Sequence, residues 1–260
     1  MAEPRPISSR DNPLLQRIRK LAADPGGYRK LGEVWIEGDH LCAAFVKRGG
    51  RALQAVLTRD GWHDPALRAL ADSATSSVTV TPELMAGLST LESPPSIGFV
   101  VVAPTVPALA PDQPSVVLDR LQDAGNVGAI LRSAAAFGFA QVLALKGTAA
   151  LWSPKVLRAG MGAHFGLRLV EGLQEEALAG LTVPLLATSS HATQALHEVL
   201  IPWPCAWVMG HEGHGISAAL RARCQRELRI PQPGGEESLN AAAAAAVCFY
   251  ESVRQRAAQP

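Results

Sequence analysis

The chain has 260 residues, room for one large domain or two small ones. Its 48% hydrophobic and 18% charged residues describe a soluble globular protein with a substantial core. A net charge of +1 gives no global basicity of the kind that announces a nucleic-acid partner. The charge is uneven, however: residues 1–60 hold eleven Lys and Arg against seven Asp and Glu, so the front end is basic and the remainder slightly acidic. The four cysteines, Cys42, Cys205, Cys224 and Cys248, lie far apart with no CxxC pair, which argues against a disulfide framework and against a zinc knuckle. No apolar run has membrane-spanning length and the opening residues lack a signal-peptide core, so the expected location is the cytoplasm.

In chain order, residues 1–27 form a basic helical segment. Asn12-Pro13 places a capping residue before a proline at the first helical position. Leu14, Leu15, Ile18 and Leu21 then fall on one face, with Arg10, Arg17, Arg19 and Lys20 on the others. Such a basic face is either simply solvated or a contact for RNA phosphates. After the break at Asp24-Pro25-Gly26-Gly27, short strands alternate with short helices up to a buried strand over Ile97–Val102. That alternation predicts a small α/β domain, residues 28–103, with a largely parallel sheet. Residues 104–115 carry Pro104, Pro107, Pro111 and Pro114 and read as a semi-rigid linker.

A second α/β alternation fills residues 116–260. Strands are expected over 116–118, 141–145, 167–170, 183–188, 206–209 and 227–230, with helices over 127–137, 154–161, 216–224 and 239–255. Ligands of open α/β sheets sit at the carboxyl ends of strands, so the polar stretches there are where chemistry is to be sought. Three stand out. The first runs from Leu118 to Ala134, with Asn126 as the expected helix cap and Arg132 deeper on the same helix, flanked by apolar and small residues and so expected to be partly enclosed. The second, Gly210-His211-Glu212-Gly213-His214-Gly215, is a tight loop with exposed backbone. Its histidines do not form an HExxH pattern, and the chain has neither a GxSxG elbow nor a GxGxxG after a strand, so no metal is expected. The third runs from Ile230 to Asn240, where Pro231, Pro233, Gly234 and Gly235 bar regular structure before Ser238, the expected cap of an alanine-rich closing helix. A bare turn feeding a helix start leaves backbone N–H groups free for a polar cofactor edge, although by itself the stretch reads more readily as an ordinary strand–loop–helix joint.

Taken together and in order, Asn126 with Arg132, Gly210-x-Glu212-Gly213, and Ile230-Pro231 with Ser238-Leu239-Asn240 resemble the three motifs of the SpoU (TrmH-like) RNA 2′-O-ribose methyltransferases. Ser153-Pro154-Lys155-Val156 and Arg158 to Ala163 are similar to that family's intervening helix. Val34 to Gly38 and Ser93 to Ile97 resemble the ribosomal-protein-like RNA-binding module that many members carry. The resemblance implies a fold composed of a small N-terminal α/β RNA-binding domain and a C-terminal α/β methyltransferase domain with a mainly parallel sheet and a deep trefoil knot. It implies S-adenosylmethionine as cofactor, held around Gly210, Ile230, Ser238, Leu239 and Asn240. The methyl acceptor would be a ribose 2′-hydroxyl of RNA, 23S-type ribosomal RNA before transfer RNA. Arg132 would carry the catalytic role, with Asn126, Glu212, Ser238 and Asn240 orienting it, the nucleotide and the cofactor loops. Arg10, Arg17, Arg19 and Lys20 would dock RNA, and the protein would be a homodimer through its C-terminal domain. A non-catalytic RNA-binding assembly factor on the same fold is the reading that a replaced motif arginine would have favoured.

Overall fold

The structure, a computed structural model, describes residues 4–234 and 238–257. The chain divides into two compact units. The first runs to Thr105 and takes in Trp152–Phe165; the second holds Val106–Leu151 and the chain from Gly166 on.

The first unit is built on five strands, β1 (Arg5–Ile7), β2 (Glu33–Glu37), β3 (Gln54–Thr58), β4 (Ser76–Val80) and β5 (Ile97–Val102), in the order β1-β4-β3-β5-β2. β4 runs parallel to β1 and β3, whereas β5 runs antiparallel to β3 and β2. The sheet is therefore mixed, not largely parallel. A run such as Ile97–Val101, buried on both faces, has no alternation to reveal its direction. β1 was not expected either: three residues with only Ile7 buried are too few to carry a pattern.

The Pro13–Ala23 helix begins as its sequence implies, with Leu14 N–H donating to Asn12 Oδ1 at 2.9 Å. Leu15, Ile18 and Leu21 are buried. The core of this unit includes Trp35, Ile36, Leu57, Phe99 and Val100. Trp35 lies so close to β5 that a Cβ on Gly98 would stand 2.2 Å from its ring, so only glycine fits there. The Trp152–Phe165 stretch, with a helix over Pro154–Gly160, packs into the same unit: Phe165 meets Phe45 edge-on at 5.2 Å, and Arg158 reaches the buried Glu37 carboxylate at 3.3 Å.

The second unit carries seven strands, all parallel: β6 (Ser115–Leu118), β7 (Gln141–Leu145), β8 (Arg168–Leu173), β9 (Leu185–Thr188), β10 (Gln194–Ala195), β11 (Ala206–Met209) and β12 (Arg226–Arg229). Their order is β10-β12-β9-β11-β6-β7-β8. β6, β7 and β11 are buried along their whole length, as their unbroken apolar runs require in a sheet covered on both faces. The buried polar residues that open β6 and β7, Ser115 and Gln141, are engaged: the Gln141 amide meets both the N–H and the carbonyl of Ala110 and donates to Ser115 Oγ. The Ala124–Ala136 helix packs on the closing Ala241–Ala257 helix, where small side chains permit close approach. Trp207 Nε1 donates to Ser252 Oγ at 2.9 Å and fixes the closing helix over β11.

From β6 the chain moves outward through β7 to β8 on one side, while β11 and β9 lie on the other. The carboxyl ends of β6 and β11 are thus a topological switch point, where connections diverge and leave a crevice.

Replacing Gly98 by alanine should overpack the Trp35 contact and cost about 1–3 kcal/mol. Thermal denaturation of Gly98→Ala should show a melting point several degrees lower; an unchanged transition would mean that Trp35 has room to move.

Candidate active site

At the carboxyl end of β6, Asp119 is buried. Its carboxylate accepts from Ser217 N–H at 2.7 Å and from Arg120 Nε at 2.8 Å, and its own N–H donates to the Met209 carbonyl at 2.8 Å. These bonds tie the end of β6 to both sides of the loop that follows β11. That loop closes on itself, His211 and Gly215 exchanging backbone hydrogen bonds of 3.0 and 2.8 Å. A Cβ on Gly210 would stand 2.4 Å from the Gly215 carbonyl carbon, so glycine there is what allows the closure.

The helix after β6 starts earlier than expected. Asp123 is its cap, accepting from Asn126 N–H at 2.7 Å, and Asn126 is the third helical residue. Asp and Asn are comparable caps, and nothing in Ala124 or Gly125 forbids the extra turn. With Asp123 as cap, the Asn126 side chain is free to act elsewhere. Its Nδ2 donates to Glu212 Oε1 at 3.3 Å, and its Oδ1 accepts from Asn240 Nδ2 at 2.9 Å. Asn240 in turn caps the closing helix, its Oδ1 accepting from Ala242 N–H at 2.9 Å and Ala243 N–H at 3.2 Å. Ser238, the expected cap, lies two residues before it and lines the cavity instead. Glu212 also accepts from the backbone N–H groups of Asp123, at 3.1 Å, and Gln122, at 3.3 Å. Burial pushes the Glu212 carboxyl up, but the hydrogen bonds from its own backbone, Asp123, Asn126 and Gln122 outweigh it, and the group is held below the ordinary carboxylate range.

These residues border a cavity of about 600 Å³. Asn126, Gly210, Glu212, Ser238, Leu239 and Asn240 all line it. A smaller recess of about 120 Å³ shares Ser238 and Leu239 with it and adds Ile230 and Gln232. Gln232 Oε1 is buried without a hydrogen-bond partner among the described residues. The turn after β9, from Thr188 to His191, lines the larger cavity and was not singled out in the sequence; a run of polar residues at the end of an apolar strand was the only signal.

Of the residues expected to act, the structure brings together Asn126, Glu212, Ser238, Asn240, Gly210 and Leu239 around one cavity, with Ile230 in the adjoining recess. Arg132 is not among them. It was expected to be partly enclosed, but it is exposed, outside the cavity lining, and no hydrogen bond or ion pair engages it among the described residues. The small neighbours at Ser133 and Ala136 leave that side of the helix bare. In the first unit, Arg10 and Lys20 are exposed, while Arg17 pairs with Glu33 at 2.9 Å and Arg19 donates to the Arg10 carbonyl. Gly235, Glu236 and Glu237 lie outside the described residues. His211 and His214 approach through their Nδ1 atoms at 3.2 Å, but among the described residues no group of three or more His, Cys, Asp or Glu could hold a metal. No helix among the described residues is long and apolar enough to cross a membrane.

Comparison with known proteins agrees with this geometry. Residues 113–250 match the SpoU rRNA Methylase family. The chain is 32% identical to an uncharacterized tRNA/rRNA methyltransferase of Synechocystis, over 96% of its own length and 94% of that protein. It is 30% identical to the 23S rRNA (guanosine(2553)-2′-O)-methyltransferase RlmP of Bacillus subtilis, over 83% of its length and 86% of the relative. Among solved structures, the SpoU methyltransferase AviRb of Streptomyces viridochromogenes, in complex with AdoMet, superposes with a TM-score of 0.86 at 26% identity, over 96% of this chain and 100% of that one. The motifs, the parallel sheet and the relatives converge: this chain belongs to the SpoU rRNA methylase family.

Proposed function

We propose that this protein transfers a methyl group from S-adenosylmethionine to a ribose 2′-hydroxyl of RNA, with 23S-type ribosomal RNA as the substrate class. The observation that carries the reading is the hydrogen-bonded line Glu212–Asn126–Asn240, which joins three sequence-distant stretches at the rim of one cavity. The substrate class rests on RlmP, which spans most of this chain and is named for 23S ribosomal RNA.

The residues present suit the cofactor. Gln232 offers a buried amide oxygen with no donor among the described residues, matched to an amino group such as an adenine edge presents. Ile230 and Leu239 give the recess apolar walls, and Gly210, Ser238 and Asn240 border the adjoining space. When bound, S-adenosylmethionine supplies a methyl group activated by its sulfonium. The chain's part is to hold the acceptor oxygen in line and to favour loss of its proton. Arg132 stands outside the cavity, so its role is to grip the phosphate beside the target ribose, not to take the proton. Asn126, rooted on the same helix, keeps that helix in register with the cavity through Glu212 and Asn240. The presence of all these motif residues disfavours a binding factor without turnover.

The remaining parts of the reading are architectural. The trefoil knot of the family belongs to this reading, and the shared bonding of Glu212 and Asn240 to Asn126, which brings the closing segment beside the β11 loop, supports it. Val247 and Tyr250, 40% and 56% exposed on the closing helix beside Arg132's helix, suit a homodimer through this unit. Four free cysteines, three of them buried, suit the reducing cytoplasm. The first unit, with exposed Arg10 and Lys20, is the RNA-docking module.

Incubation with methyl-labelled S-adenosylmethionine and unmodified ribosomal RNA should place label on a ribose of 23S RNA; label on a base, or none with cofactor bound, would defeat the assignment. Arg132→Ala should lose transfer while cofactor affinity, read by calorimetry, stays nearly intact. Because the Glu212 carboxyl is held below its ordinary value of 4.5, the stability that it contributes is full above that pH and is lost as pH falls through the lowered value. Acid unfolding of Glu212→Gln, compared with wild type, should therefore converge at low pH and diverge toward neutrality; parallel curves would remove Glu212 from the account. Val247→Asp combined with Tyr250→Asp should shift sedimentation from dimer to monomer.

A further inference from the structure

The segment Arg221–Arg229 holds four arginines, Arg221, Arg223, Arg226 and Arg229, with Glu227 as its only acid. Three of them donate to main-chain carbonyls: Arg223 to Glu175, Arg226 to Leu200 and Arg229 to Ala192, at 2.7, 3.0 and 3.2 Å. A carbonyl fixes a guanidinium in place without cancelling its charge, and it leaves the other N–H donors of the planar fork free. This differs from Arg17 on the first helix, whose charge is met by the Glu33 carboxylate.

One of the four lines the cavity, and a second is attached to the turn beside it. Arg221 lines it directly, its Nη2 3.9 Å from the position that a Cβ on Gly215 would take. Arg229 holds the carbonyl of Ala192, next to His191, which also lines the cavity, and it precedes Ile230 of the adjoining recess. Side chains alternate along β12, and Leu228 is buried, so Glu227 and Arg229 share the opposite face. Arg221 approaches that same Glu227 at 3.4 Å, yet Glu227 Oε1 has no hydrogen-bond partner among the described residues. The ion pair is therefore loose, and Arg221 is steered toward the face without being locked to it. Two cations against one carboxylate leave that face net positive, with Arg221 reaching the cavity.

We propose that Arg221 and Arg229 form a phosphate-gripping pair for the RNA strand that enters the cavity, a second RNA contact on the methyltransferase unit in addition to the basic first helix. The inference rests on the RNA-methyltransferase reading above. Arg229 supplies a pre-oriented fork whose ordering cost is already met by the Ala192 carbonyl; Arg221 supplies a mobile one that closes on the backbone.

The test measures affinity for an unmodified 23S ribosomal RNA transcript across a salt series, for wild type, Arg221→Gln, Arg229→Gln and the double variant, with S-adenosylmethionine affinity measured alongside. Each lost phosphate contact should make the dependence of log affinity on log salt shallower by about 0.7–0.9, with cofactor affinity unchanged. Arg229→Lys, which keeps the charge but not the fork and perturbs folding least, should keep the wild-type slope and bind RNA severalfold more weakly. An unchanged slope and affinity in the double variant, while wild type binds RNA and transfers methyl, would overturn the pair and leave the function standing. A fall in cofactor affinity in folded variants would also overturn it, assigning these cations to the cofactor's carboxylate. Wild type that neither binds RNA nor transfers methyl would instead defeat the underlying reading.

Discussion

The carboxylate of Glu212 can only accept hydrogen bonds, and that one fact orients the whole site. Because it only accepts, the Asn126 amide must turn its nitrogen toward Glu212 and its oxygen away. That oxygen then requires a donor, which the Asn240 nitrogen supplies, and the Asn240 oxygen is left facing the free N–H groups of the closing helix. Each amide is set by its neighbour, so no link can flip alone. The line ends on a helix N-terminus, whose partial positive charge favours the acceptor oxygen that caps it. A negative group at one end and a helix dipole at the other polarise the two amides in the same sense.

Close backbone approach makes this line possible. The β11 loop has to double back within six residues to set Glu212 against Asn126, and Gly210 leaves the space that its return occupies. Asp119 then clamps the loop from outside by accepting from Ser217 while its own N–H holds the Met209 carbonyl. The buried Asp119 is the counterpart of Glu212: Glu212 accepts from two backbone N–H groups at the entry to the helix after β6, and Asp119 accepts from the Ser217 N–H at the loop's exit while the Arg120 guanidinium meets its charge. Such bonds restrict a loop without demanding any particular cofactor or nucleotide, which leaves recognition to the cavity walls.

Much of the second unit was legible because apolar runs of four or five residues in a parallel sheet are hard to mistake, and β6, β7 and β11 fall within a residue of where they were read. The motif residues were legible as types: Asn126, Glu212 and Asn240 do meet. Their local roles were not. Asp123 and Asn126, or Ser238 and Asn240, are near-equal caps, and only the tertiary partner decides which side chain is spared for the cavity. Direction within the first sheet was invisible because β5 is buried on both faces. The proline-rich stretch near Thr105 marks a change of unit, but the return of Trp152–Phe165 to the first unit left no trace, since a short amphipathic helix reads the same whatever it packs against.

The placement of Arg132 bears most on mechanism. A group that removed the hydroxyl proton would have to touch it, and an exposed guanidinium off the cavity wall does not. A phosphate grip needs only charge and a planar fork, both of which survive exposure. If Arg132 and the proposed Arg221–Arg229 pair are counted as phosphate ligands, the chemistry becomes one of positioning: the strand would be held through its phosphates, and bound S-adenosylmethionine would supply the electrophilic carbon. On that view the proton needs no dedicated base in the cavity wall, because it leaves as the new bond forms and can pass to water. The polar residues that surround the site then act mainly through geometry, and the Glu212–Asn126–Asn240 line is the part of the protein that fixes it.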